Sequence, residues 1–227
     1  DTTRRIDLFI GGGTAMNFGP RNLVTLILVL LVPAVVFGEV PDINNCQIST
    51  RATVDVSIMI CPACDGNSFG AALAFGGGPV DATIEVIIAN NTGQGLGGIT
   101  ASSIWLEETG INWCDAGNIA DFDTDATGYT EFAMPPCGGG CSDNMTLSGY
   151  LMIGSPTPFN ENPLPHIMFN SPDTNGDLVV DLIDLSEFAA AYFAPATYCF
   201  DYYWDGQMTL QDLALFSQHY THSCPGN

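Results

Sequence analysis

The sequence predicts a mostly β fold, an antiparallel β-sandwich followed by a small α-helical module. Three observations predict it. Short segments of alternating apolar residues recur between clusters of Gly, Asn and Asp, the pattern of strands and tight turns. The 227 residues include 25 glycines and 14 prolines, which suits many turns. Near the C-terminus, a loop-and-helix pattern repeats at a single fixed offset.

Composition bounds the function before any motif does. Asp and Glu number 25 against 4 basic residues, all arginine, for a net charge of −21. Such a surface repels polyphosphate and excludes nucleic-acid binding. It also excludes docking on anionic lipid through a basic patch. Only 13% of residues are charged and 46% are apolar, the balance of a folded chain and not of a disordered acidic tail. Eight cysteines, an even count, suit an oxidising compartment.

Residues 23–37 (LVTLILVLLVPAVVF) are almost wholly apolar, preceded by Arg21 and followed by Gly38-Glu39. Residues 16–38 therefore read as a signal peptide, with Val36 and Gly38 at the −3 and −1 positions of the cleavage site. A membrane anchor needs roughly 20 apolar residues, and Pro33 weakens this run further. Residues 1–15 precede Met16, and the glycines at 11–13 imply G-rich codons where a bacterial ribosome-binding site would lie. They are expected to be an over-extended reading frame. If the apolar segment is instead retained, it is expected as a strand donated to a neighbouring subunit.

Residues 39–160 supply the sandwich. Across residues 52–60, Val54, Val56, Ile58 and Ile60 share one face and Thr53, Asp55 and Ser57 the other, a half-buried strand. Residues 82–89, 100–107, 128–134 and 146–153 are further strands, separated by turn clusters that include 90–93, 125–128 and 138–140. The run GQGLGGITASSIWLEE at 93–108, followed by TDATGYTEF at 124–132, resembles bacterial Ig-like domains of the invasin and intimin type. Asp125, Gly128 and Phe132 match the second half of that pattern, whereas Gly95-Leu96 stand where a proline is usual. The resemblance implies a spacer, adhesion module or filament subunit.

Residues 166–227 are the most informative. Asp173, Asn175, Asp177, Asp181 and Asp184 stand at positions 1, 3, 5, 9 and 12 of a twelve-residue loop, with the Val179 carbonyl at position 7. Oxygen side chains at this spacing wrap once around a hard cation, so the predicted ligand is Ca2+. Without a cation the carboxylates repel one another. A shift of 28 residues finds a second copy, in which Asp201, Asp205 and Asp212 repeat Asp173, Asp177 and Asp184. Gln207 and Thr209 fill positions 7 and 9, and Tyr203 occupies position 3. The pairs Leu182/Leu210, Leu185/Leu213, Phe188/Phe216 and Tyr192/Tyr220 follow at the same offset, as a helical stripe expected to be buried. Pro163, Pro165 and Pro172 break any helix ahead of the first loop.

A duplicated loop with only an exiting helix, carrying D-x-N-x-D-x-x-V-D-x-x-D at 173–184, resembles the dockerin type I module. Leu178 departs from the glycine of that pattern, which Gly206 keeps in the second loop. The resemblance implies calcium binding and a cohesin-like partner. Cys199 and Cys224 bracket the second unit and are expected to bond to each other. Cys46, Cys61, Cys64, Cys114, Cys137 and Cys141 admit 15 pairings, among which the sequence does not choose.

Other motifs are weaker. Cys61, Cys64, Cys137 and Cys141 have the content of a four-thiolate zinc site, but in an exported chain disulfides are the expected fate. Residues 66–70 match G-x-S-x-G around Ser68, without the long helix that a nucleophile elbow opens into. His166, His219 and His222 are the candidate bases for such a hydrolase. Residues 93–98 match G-x-G-x-x-G but lead into a strand, so a hairpin turn is expected. His219 and His222 are either metal chelators or ordinary exposed residues at a helix end. Asn90 and Asn144 head glycosylation sequons.

No nucleophile, base and oxyanion donor assemble, nor do paired catalytic carboxylates. The expected function is a non-enzymatic extracellular structural protein, a calcium- and disulfide-stabilised subunit of a filament or cell-surface scaffold. Its expected partners are copies of itself or a cell-surface protein. The alternatives are an adaptor binding a cohesin-like protein, and a glycan-binding or adhesion module using Tyr202, Tyr203 and Trp204.

Overall fold

Branched and aromatic residues at alternate positions build the central strands. In β5 (Ile84–Ile87), Ile84 and Val86 are buried, Glu85 is half-buried and Ile87 is exposed. β5 lies between β1 (Gln47–Thr50) and β8 (Tyr129–Phe132) in an antiparallel sheet, with Ile84 opposite both Thr50 and Phe132. A second antiparallel sheet has the order β11 (Ser155–Pro158), β10 (Ser148–Ile153), β6 (Ile104–Glu107). A third runs β12 (Ile167–Asn170), β2 (Val56–Met59), β3 (Ala72–Ala74), β4 (Gly78–Val80), and β12 is parallel to β2. Strand β7 (Ile111–Trp113) pairs with β9 (Gly138–Gly140). Two helices follow, α1 (Leu182–Tyr192) and α2 (Leu210–His219). The protein is thus mostly β.

This computed structural model describes residues 39–143, 147–159 and 167–226. The extension at 1–15, the signal-like segment at 16–38, Asn144 and His166 lie outside the described residues. From Val40 onward the chain clusters into one compact unit. Among the described residues no helix is long and apolar enough to cross a membrane.

Strand β2 is where two cores meet. Val56 and Ile58 belong to the larger core, with Phe69, Ile84, Val86, Leu106 and Phe132. Met59 belongs to a second core with Val180, Phe188, Tyr202 and Phe216, under the two helices. All four residues of β2 are buried, so the one-sided strand expected over 52–60 is covered on both faces. Val54 is exposed instead of joining the apolar face, and Ser57 is buried because its hydroxyl bonds the Tyr198 hydroxyl at 2.9 Å.

Two more expectations need correction. Residues 138–140, expected as a turn, form the buried strand β9. Their lack of side chains serves packing, since a Cβ on Gly139 would overlap the Asp173 carboxylate. Cys199 and Cys224 do not bond to each other: the disulfides are Cys64–Cys137, Cys114–Cys224 and Cys141–Cys199. Each terminal cysteine is drawn to the β-rich part because its loop packs there, and the cross-links join the two cores. Cys46 and Cys61 are free and buried.

The Cys141–Cys199 bridge spans 58 residues, for which the chain-entropy account gives about 4 kcal/mol. Replacing both cysteines by alanine is expected to lower the unfolding free energy in urea by about that amount. A loss below about 1 kcal/mol would show that the two cores hold together without it.

Candidate metal-binding loops

Each acidic loop is organised by two buried aspartates that accept backbone N–H groups. In the first, Asp173 Oδ1 accepts from Gly176 and Asp177 (3.0 and 3.1 Å) and Oδ2 from Leu178 (2.8 Å). Asp184 Oδ1 accepts from Thr174 and Asn175 (2.8 and 3.3 Å) and Oδ2 from Asp181 (2.8 Å). The second loop repeats the arrangement. Asp201 accepts from Asp205 and Gly206 (3.1 and 2.7 Å), and Asp212 from Tyr203 and Thr209 (3.0 and 2.8 Å). Asp184 and Asp212 also close capping boxes with Asp181 and Thr209, which is why a helix starts at the same place in both copies. Leu178 takes the left-handed conformation (φ 72°) that Gly206 takes in the other copy (φ 82°), so the loop path survives the missing glycine.

The β-strands buttress both loops. Gly140 N–H donates to the Asp173 carbonyl (2.7 Å), and the Asn112 amide donates to the Gly176 carbonyl (2.6 Å). For the second loop, Gly76 N–H donates to the Trp204 carbonyl (2.8 Å) and the Asn170 amide to the Asp201 carbonyl (3.0 Å).

The donor set suits a hard cation. Asp173, Asp184, Asp201 and Asp212 are buried, and Arg51, the single basic residue among those described, is engaged elsewhere with Asp81, Glu85 and Glu131. Burial, and then Asp184 and Asp177, push the Asp173 carboxyl up to about 6, against the pull of the Leu178 N–H. Burial likewise raises Asp201, opposed by the Gly206 and Asp205 N–H groups. A bound calcium would supply the charge that relieves both. The residues able to hold it are Asp173, Asn175, Asp177, the Val179 carbonyl, Asp181 and Asp184, then Asp201, Asp205, Gln207, Thr209 and Asp212. They are not drawn together on one point. Asp181 turns its carboxylate to the Ile183 N–H (2.6 Å), and Asp177 turns to Val179 N–H (3.1 Å) and the Asn175 amide (3.1 Å).

The remaining candidates separate clearly. The helical stripe is buried only in its middle: Phe188 and Phe216 are inside, whereas Leu182 and Leu210 are 65% and 73% exposed. Tyr202 is buried and stacked on Phe188, and Trp204 packs edge-on against Phe75 and Tyr198, so these two are core, whereas Tyr203 lies half-exposed over Gly77. After Ser68 the chain makes one short 3-10 turn, Phe69–Ala71, and enters β3, and the neighbouring cavity of about 250 Å³ is lined by Phe69, Trp113 and Phe132 but not by Ser68. Asn90 is buried and its Oδ1 accepts from Thr92 and Gln94 N–H (both 3.0 Å), so it holds a turn together. The four-thiolate zinc site is not formed, since Cys64 and Cys137 are bonded to each other and Cys141 to Cys199. His219, weighed as an exposed helix-end residue, is buried and meets Asp65, as does His222. The sequence carried the spacing of the two histidines but no signal that Cys61 and Asp65 would reach them.

A scan of protein-family models, a search of curated proteins and a search of solved structures each find no match to this chain.

Calcium at a hundred times its dissociation constant is expected to add about 2.7 kcal/mol per site and raise the thermal midpoint. Asp173→Ala should remove the share of the first loop. Asp173 carries a proton below about 6 that a cation must displace, so the calcium-induced rise should shrink as pH falls through that value. A rise that is constant from pH 5 to 7.5 would refute the assignment to Asp173. Gly139→Ala should cost about 1–3 kcal/mol by overpacking, read by urea denaturation in chelator.

Proposed function

We propose that the protein is a non-enzymatic extracellular assembly module, whose duplicated loops take calcium and whose paired helices dock onto a protein partner. The observation that carries the reading is the exposure of Leu182 and Leu210. They are equivalent residues 28 apart, each at the first position of its helix, with Ile183 exposed beside Leu182 and Phe193 exposed just past the end of the first helix. Large apolar side chains presented at both copies of a repeat are a marker of a docking face. Calcium would act on that face indirectly, because Asp184 and Asp212 belong both to the loops and to the helix starts.

The three disulfides support an extracellular setting. The resemblances to Ig-like and dockerin-type modules agree with the reading and supply its family-level part: a sandwich as spacer and a duplicated calcium loop as coupler. A second reading, a filament built by strand addition between copies, is favoured by β1, an outer strand without proline. The outer strands β4 and β11 carry Pro79, Pro156 and Pro158, which cannot donate to an added strand.

Secreted material imaged by electron microscopy and sized by light scattering, with and without chelator, tests both. Docking through the helices predicts assemblies that dissolve in chelator and are absent for the double variant Leu182→Asp, Leu210→Asp, at unchanged circular dichroism. Assemblies that ignore both treatments would support strand addition at β1 instead. Monomers in every condition, with no partner recovered from the cell surface, would overturn both readings.

A further inference from the structure

We propose that Cys61, Asp65, His219 and His222 form a second kind of metal site, one that takes a tetrahedral divalent transition metal of the zinc class. The four side chains come from two distant turns, and one ligand atom from each lies within 4.8 Å of all the others. Cys61 Sγ is 3.7 Å from His222 Nδ1, while Asp65 Oδ2 is 3.1 Å from His222 Nδ1 and Asp65 Oδ1 3.3 Å from His219 Nδ1. Tetrahedral zinc bonds of about 2.0–2.3 Å place ligand atoms about 3.3–3.8 Å apart. These three separations already lie close to that range.

Both turns are held by the fold. On one side, Cys64 N–H closes onto the Cys61 carbonyl (3.0 Å), and Cys64 takes a left-handed conformation (φ 63°) fixed by its bond to Cys137. Gly66 then passes so near the Met59 carbonyl that any Cβ there would overlap it, which turns Asp65 back over Cys61. On the other side, α2 ends at His219, and Thr221 (φ 72°) reverses the chain. Val180 bonds this reversal twice, to Thr221 N–H (2.8 Å) and the His222 carbonyl (2.9 Å), and Cys224 is bonded to Cys114 two residues further on.

Three features point to a metal and not to an ion pair. His219 is 94% buried, being 6% exposed, and its Nδ1 has no hydrogen-bond partner although Asp65 is near: the carboxylate is at ion-pair distance without hydrogen-bond direction. Cys61 is buried and free, while Cys64, three residues on, is oxidised. The third feature is the shared nitrogen. Both Cys61 and Asp65 approach Nδ1 of His222, whereas a nucleophile–base–acid relay needs the two ring nitrogens on opposite partners. One cation in the middle satisfies sulfur, oxygen and nitrogen at once. A thiolate and a carboxylate with two neutral imidazoles balance a dication, and the soft donors select zinc-class metals over the calcium of the oxygen-lined loops.

The test titrates disulfide-intact, calcium-saturated protein with Co2+ and then Zn2+. Saturating calcium keeps the acidic loops out of the readout, so this site and the loop reading fail separately. One equivalent of cobalt should give a tetrahedral visible spectrum with a thiolate-to-cobalt charge-transfer band, displaced by zinc. Cys61→Ser should abolish that band. His222→Gln, at a half-exposed position that spares the core, should weaken zinc binding at least about tenfold at unchanged circular dichroism. No charge-transfer band in the wild-type protein, or zinc affinity unchanged in His222→Gln, would overturn the proposal and leave the cluster an ion pair between Asp65 and the two histidines.

Discussion

The Asp173 carboxylate, buried against the bare backbone of Gly139, is the contact through which the first acidic loop rests on the β-strands. The first acidic loop has no helix leading into it: strand β12 ends at Asn170, and Ser171 and Pro172 follow. The missing support comes from a strand of three glycines, thin enough for an aspartate to lie flat on it, and from Asn112 beside it. The second loop borrows the β3–β4 turn in the same way, through Gly76 and Phe75. Each loop then sets its helix start through a capping box, and the helices close over Phe188, Tyr202 and Phe216.

Charge explains the rest of the local chemistry. Arg51 sits in a half-exposed network with three carboxylates, which contributes little to stability. Among the described residues no arginine is left for the buried aspartates, so backbone N–H groups partner them. The Cys61 cluster gathers different donors, a thiol, a carboxylate and two imidazoles. Val180 lies between the two arrangements: it closes the first acidic loop, and its N–H and carbonyl hold the turn that carries His222.

Local pattern was legible where one face of an element decides its burial. The alternation in β5, the turn asparagine at 90 and the duplicated loop spacing are all readable, because each depends on neighbours within a few residues. What failed depends on partners far along the chain. Three consecutive glycines read as a turn unless an aspartate over thirty residues away is known to fill the space above them. Strand β2 reads as half-buried unless Tyr198 and the second core are known to cover its other face. Leu182 and Leu210 fit the apolar periodicity of their helices, yet the capping boxes rotate Asp184 and Asp212 inward and leave these leucines outside.

The pairing of the cysteines also bears on the order of events during oxidative folding. A chain that oxidised as it emerged would join neighbours, Cys46 with Cys61, Cys64 with Cys114, Cys137 with Cys141 and Cys199 with Cys224. None of these is a native bond. The native bridges reach across 58 to 110 residues, and the Cys64–Cys137 and Cys114–Cys224 loops interlock along the sequence. Docking of the C-terminal repeat before oxidation would bring these distant thiols together, and any early neighbour bond would need thiol–disulfide exchange to resolve. A chain whose early bonds joined neighbours would need a catalyst that isomerises disulfides as well as one that forms them.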